Sequence, residues 1–311
     1  MVGLIADAVL PIAWILALGF GVKRFSALDD SVWRGLEWIS YWILMPSLLV
    51  AVIIQAPDFE IPWIPLLGSM YGTLGLITVF LIVAWNFKLL GRAYPSFTSL
   101  YQGSVRFNTF ISMAVITGLN PVLLPHLGVA AAIFIVVLNI SCVAVMTAGH
   151  SDRMLRRVFC EILRNPLILA CLLGGLARGF GVPNQFPVSG MALVGQAALP
   201  MGVFCLGAGL QWRAVRAGFG LAVLATILQL VIKPLIFIAL AIWLDLEADW
   251  LLVGLLLMCV STAPSSFILA RQLGGDAPLM AGIVAIQTVL SIASVPLILW
   301  VAETMNWIHL L

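Results

Sequence analysis

Charge is what this sequence has least of. Asp, Glu, Lys and Arg together make up 9% of its 311 residues, and 63% are hydrophobic. A soluble fold of this length needs far more charge to cover its surface. No polar stretch exceeds about 17 residues, so a soluble domain has no room. The middle of every long apolar run is also free of carboxylates, which weighs against an intramembrane acid that binds a cation and exchanges protons. Cysteine is sparse: Cys142, Cys160, Cys171, Cys205 and Cys259 are odd in number, unclustered and mostly inside apolar runs, as small buried hydrophobes. His126, His150 and His309 stand apart and read as loop residues, so no metal set emerges and no cofactor is implied. The sequence offers no nucleophile, acid–base pair or metal cluster, which excludes an enzyme. A net charge of +2 held in short loops argues against nucleic acid as a partner.

What is present is a succession of apolar runs, each about 20 residues long, the length that crosses a hydrocarbon layer of roughly 30 Å. Ten segments are predicted, over 4–22, 36–55, 63–86, 98–118, 127–147, 165–181, 188–210, 216–244, 250–271 and 280–302. The fold class is therefore an all-α polytopic membrane protein embedded in the lipid bilayer. Residues 1–22 lack a basic start and a cleavage site, and are counted as the first span. In the eighth, Lys233-Pro234 predicts a kink.

The second half rewrites the first. Pro11–Phe25 aligns without gaps on Pro166–Phe180, matching Pro11 with Pro166, Gly19 with Gly174, Lys23 with Arg178 and Phe25 with Phe180. About one helix later each half carries a Pro in an apolar run, Pro46 and Pro200. With five spans per copy, the copies face opposite ways, which is the inverted-repeat construction of secondary transporters. The expected organisation is a first five-helix repeat over 1–147, a cytoplasmic linker over 148–164 and a second repeat over 165–311. Orientation follows from the basic residues. Twelve of the fifteen Lys and Arg lie in loops after odd-numbered spans, while those after even-numbered spans hold only Arg178. Both termini are thus expected outside, in the periplasm of a bacterial inner membrane. Trp33, Trp38, Trp63, Trp212, Trp250 and Trp300 fall near predicted span ends, where an aromatic belt is expected.

The fourth and ninth spans fit lipid least well. The fourth carries Gln102, Arg106, Asn108, Thr109 and Ser112, and the ninth Ser261, Thr262, Pro264, Ser265 and Ser266. Pro264 removes a backbone donor and frees carbonyls, tolerable at that depth only against protein or a water-filled cavity. The half-helix beginning there presents free N–H groups suited to an anion. Arg106 is a cation deep in its span, where burial costs several kcal/mol unless compensated. These eight residues (Arg106, Asn108, Thr109, Ser261, Thr262, Pro264, Ser265 and Ser266) are the expected substrate site. Back-bonding hydroxyls and helix-joining hydrogen bonds remain open as plainer roles for them. Lys233 pairs with an acid or lines a solvated crevice. Asn139, Ser141, Gln287, Thr288 and Ser291, on the fifth and tenth spans, either glue helices or flank the crossing.

On these residues the chain resembles the auxin efflux carrier family, which includes PIN-type exporters and bacterial malate or malonate carriers. The strings that carry the likeness are FNTFISMAV in the fourth span and APSSFILARQLGGDAPLMAGIVAIQTVLSIASVP across the ninth and tenth. The resemblance implies two inverted five-helix repeats split into scaffold and transport domains, with broken, crossing fourth and ninth helices. It also implies organic-anion transport and a homodimer. The family's fourth-span Pro has no counterpart, since Ala114 and Val115 stand in its place. The reading is a secondary carrier of small organic anions, dicarboxylates or auxin-like acids, working by alternating access. A sodium/proton-type antiporter of the same architecture is its alternative.

Overall fold

A computed structural model describes residues 2–91, 93–146, 165–182, 186–211, 214–215 and 218–309. The predicted linker at 148–164, with His150 and Cys160, lies outside the described residues, as does Trp212. Among the described residues the secondary structure is all helical, and seven helices are long and apolar enough to cross a membrane. The chain is a polytopic integral membrane protein.

The first span is α1 (Val2–Phe25). The second runs over Asp30–Gln55 as α2 (Asp30–Ile39), a π turn at Ser40–Leu44 and α3 (Met45–Gln55). Pro46 explains the wide turn: it has no N–H for the carbonyl four residues back, so the helix relaxes to a looser winding there. The third span is α4 (Trp63–Asn86). The segment predicted as the fourth span is interrupted, α5 (Tyr94–Val105) followed by α6 (Thr109–Leu119), and is not among those seven. The fifth is α7 (Leu124–Met146).

After residue 165 come α8 (Pro166–Gly179), then α9 (Val188–Gly195) and α10 (Ala198–Ala208) as one bent span with Pro200 just past the bend. The eighth span repeats the device of the second: α11 (Phe219–Ile227), a π turn at Leu228–Ile232 and α12 (Lys233–Trp243), with Pro234 behind the turn. The segment predicted as the ninth span is interrupted, α13 (Ala248–Met258) and α14 (Ser265–Leu273), neither of them long enough to cross by itself. The last is α15 (Ala277–Thr304).

Two close pairings dominate the packing: α1 lies along α10, and α3 lies along α8 and α9. Glycine permits both. A Cβ on Gly19 would overlap the Phe204 carbonyl oxygen, and one on Gly207 would overlap that of Leu16, so α1 and α10 touch backbone to backbone. A Cβ at Gly195 would overlap the Leu48 backbone of α3 in the same manner, and Gly174 packs tightly on Ile53 and Val50. Small residues at such contacts are how helices associate where lipid removes the hydrophobic drive.

The aromatic belt is only partly as expected. Trp38, Trp63 and Trp300 are exposed, but Trp33 is buried against Phe204, and Trp250 is buried with its indole N–H donating to the Glu60 carbonyl at 3.1 Å. His126 is no loop residue. It is buried at the start of α7, its ring 4.0 Å from that of Phe59 and 5.0 Å from that of Trp250. The Phe59–Glu60 loop covers His126 and Trp250, and α10 covers Trp33, so rings predicted for loops or the lipid interface find protein instead.

Candidate functional site

The two interrupted helices cross. The first half of one lies against the second half of the other, α5 with α14 and α6 with α13. In the fourth span the break falls at residues 106–108, not at Ala114 and Val115, which lie inside α6. It needs no proline. Arg106 and Asn108 take extended backbone, and the Asn108 side-chain oxygen accepts from the N–H groups of Phe110 at 3.1 Å and Ile111 at 3.4 Å. Asn108 is therefore the N-cap of α6, satisfying donors that a helix start otherwise leaves bare. In the ninth span Cys259–Pro264 is non-helical, and Pro264 sits at the N-cap of α14 as its lack of an N–H favours.

Glutamines hold the crossing together. Gln287 of α15 accepts from Thr262 N–H at 2.9 Å and donates to the carbonyls of Gly103 at 2.7 Å and Ala225 at 3.2 Å. One side chain thus ties the ninth span's break, the end of α5 and α11 together. Gln229, in the π turn, donates to the Arg106 carbonyl at 2.8 Å and the Val260 carbonyl at 2.7 Å, bridging both breaks. Its side-chain oxygen accepts from the Lys233 ammonium at 2.7 Å, and that ammonium also donates to the Val105 carbonyl at 3.3 Å. Lys233 neither pairs with an acid nor lines a solvated crevice; it is 1% exposed among neutral oxygens.

Hydroxyls complete the knot. Thr262 reaches the Gln102 carbonyl at 3.4 Å and Ser266 at 3.3 Å, and Thr288 reaches Ser261 at 3.4 Å. Ser112 of α6 donates to the Leu256 carbonyl of α13 at 2.8 Å. Of the expected residues, Arg106, Asn108, Ser261, Thr262, Ser266, Lys233, Gln287 and Thr288 meet here. Pro264 and Ser265 are exposed, and Thr109 is half-buried at the start of α6. Ser141 and Ser291 bond back to their own helices, at Leu138 and Thr288, and Asn139 is buried on α7. Gln229 and Ser112 were missed as site residues. A signal for Gln229 existed, since it stands one helical turn before Lys233 on the same face.

Not every polar group is used. Among the described residues, nine buried side-chain N or O atoms lack a hydrogen-bond partner. Five belong to the broken fourth span: both amide atoms of Gln102, Nε and Nη1 of Arg106, and Nδ2 of Asn108. Such groups are rare and call for an explanation. No group of three or more His, Cys, Asp or Glu able to hold a metal ion occurs among the described residues.

No curated protein matches the chain. The model of the Sodium Bile acid symporter family matches residues 198–310, the last spans with Gln229, Lys233, the ninth span's break and Gln287. That match overturns the resemblance to the auxin efflux carriers, a distinct transporter family. What this chain is similar to over its C-terminal third is a family of secondary transporters, the Sodium Bile acid symporters.

Proposed function

We propose that this chain is a cation-coupled secondary active transporter working by alternating access. The observation that carries the reading is the crossing of two interrupted helices at buried depth, where half-helix ends meet in a knot of carbonyls, amides and hydroxyls. Half-helix C-terminal ends and unwound carbonyls suit a coupling cation, and half-helix N-termini suit an anionic group. The match to the Sodium Bile acid symporter family includes one of these breaks and favours the sodium-type alternative over a carrier of organic anions alone. The packing supports an inverted repeat, since α1 on α10 and α8 on α3 are the same pairing made once from each half. The test is solute accumulation in proteoliposomes. Dependence on an imposed sodium or proton gradient is expected, and equilibration without accumulation under every gradient contradicts the reading.

One observation favours an anion as the cargo that travels with the cation. Arg106 carries two buried guanidinium nitrogens with no protein partner, and its backbone is fixed at the crossing by Gln229. A charge-assisted contact contributes on the order of 1.5–3 kcal/mol. Arg106→Gln is therefore expected to weaken carboxylate binding by about 10- to 100-fold. Arg106→Lys, which keeps the charge but loses the planar fork, should fall between. Calorimetry against mono- and dicarboxylates reads this out, and wild-type affinity in Arg106→Gln would make the residue part of the scaffold.

A further inference from the structure

The last carbonyls of α5 point at a buried charge that nothing in the cation-coupled reading uses. A helix leaves its final carbonyls without intrahelical donors, and they form the negative end of its dipole. Here the carbonyls of Gln102, Gly103 and Val105, with that of Arg106 at the break, have found partners. The Gln102 carbonyl takes the Arg106 N–H at 3.0 Å as well as Thr262, that of Gly103 takes Gln287, and that of Arg106 takes Gln229. Those partners are neutral. The Val105 carbonyl alone takes a cationic one, the ammonium of Lys233.

That ammonium has the surroundings of a bound metal cation rather than of an ion pair. Its acceptors are a backbone carbonyl and an amide oxygen, and the ion pairs among the described residues lie elsewhere, Lys23 with Asp30 and Arg178 with Asp58. The ionisable groups that face it are the thiols of Cys259, just past α13, and Cys142 of α7. On α5 the hydroxyl of Tyr101 turns to Thr78 at 3.0 Å, and Arg106 follows at the break. The packed helix α4 offers only Tyr71, which donates to the Ile133 carbonyl. A buried charge is normally paired or neutralised. This one is held by a dipole end and neutral oxygens at the place where a broken-helix carrier binds its coupling cation.

We propose that the ε-ammonium of Lys233 is a built-in cation, occupying at the C-terminal end of α5 the seat that a small monovalent cation takes in a cation-coupled carrier of this construction. This rests on the cation-coupled reading and refines it: sodium does not enter this seat, and a coupling ion acts elsewhere in the crossing or as the proton of Lys233. Removing the tethered ammonium should open the seat to a free cation.

The experiment is thermal unfolding of purified protein in chlorides of sodium, ammonium and N-methylglucamine at equal ionic strength. Lys233→Ala is expected to melt roughly 2–4 °C higher in sodium or ammonium than in N-methylglucamine, at cation concentrations about ten times the dissociation constant. Wild type and Lys233→Met, which fills the space without a donor, should keep only the shift that a coupling ion bound elsewhere gives, so that Lys233→Ala gains roughly 2–4 °C more than either. Recovery of folded Lys233→Ala only in sodium or ammonium also supports the seat. The proposal falls if wild type gains as much from sodium as Lys233→Ala does, or if Lys233→Ala gains nothing. It falls too if Lys233→Ala is unrecoverable in all three salts while Lys233→Met folds. Such a failure leaves gradient-driven transport untouched. Conversely, a seat that opens in a protein showing no gradient-driven accumulation leaves a structural cation and removes the coupled reading.

Discussion

Gln287→Leu is expected to abolish transport and to lower the melting temperature by roughly 10 °C. The side chain is wholly buried and satisfies three backbone groups on three different segments: Thr262 N–H, Gly103 C=O and Ala225 C=O. Leucine fills a similar volume but satisfies none of them. Each orphaned buried group costs about 1–3 kcal/mol, so the loss is at least about 3 kcal/mol, a large part of a typical folding stability. The functional loss should exceed the loss of stability, because what comes apart is the joint between the ninth span's break and the end of α5. Differential scanning fluorimetry and uptake on the same preparation separate the two effects. Wild-type melting and uptake in Gln287→Leu would show that the crossing is held by something else.

The second large effect is steric. Gly207→Val should leave little folded protein, and Gly19→Ala and Gly207→Ala should each cost about 3 kcal/mol or more, the upper end for overpacking. The atoms that a Cβ would strike at both sites are backbone carbonyls, which cannot rotate away as a side chain can. The two helices must instead move apart. Once separated by one alanine they have room for the other, so Gly19→Ala/Gly207→Ala should cost clearly less than the sum of the singles. Gly21 on the same helix is the control: a Cβ there meets nothing within 4 Å. Gly21→Ala should be neutral or stabilising by up to about 1 kcal/mol through helix propensity. Folded yield and melting temperature measure all five variants, and strict additivity of the alanine pair would contradict a shared backbone contact.

Much of the architecture was legible because lipid constrains sequence so strongly. The third span was predicted over 63–86, and α4 runs Trp63–Asn86. The ninth-span break was legible because Pro264 cannot sit in a regular helix without freeing a carbonyl. Its counterpart carries no proline, since Ala114 and Val115 stand where one would be, and only the polar residues of that span mark it. The chain breaks there through an asparagine that caps the next helix, a signal any polar mid-span residue can mimic. Lys233 was seen as out of place, but its partners were not, since a carbonyl from another span leaves no trace in sequence. Trp33 and Trp250 misled for a related reason, as Phe204 of α10 over one and the Phe59–Glu60 loop over the other cannot be told from lipid headgroups by local hydropathy.

The family likeness misled for a physical reason too. Strings such as APSSFILARQLGG and QTVLSIASVP are what any broken helix and its neighbour need: proline, hydroxyls, glycine and a small-residue face. They speak for the construction more than for the lineage. The match over residues 198–310 weighs the whole pattern of the last spans and favours the Sodium Bile acid symporters.

The central claim, that the crossing couples solute movement to a cation, is most directly tested by uptake of labelled mono- and dicarboxylates into proteoliposomes. Inward sodium, inward proton and null gradients are imposed in turn, with Gln287→Leu vesicles as the blank. Accumulation above the external concentration under a sodium or proton gradient, abolished when that gradient is collapsed, is the predicted result. Equal uptake under all three conditions, reaching but never exceeding the external concentration, would contradict it.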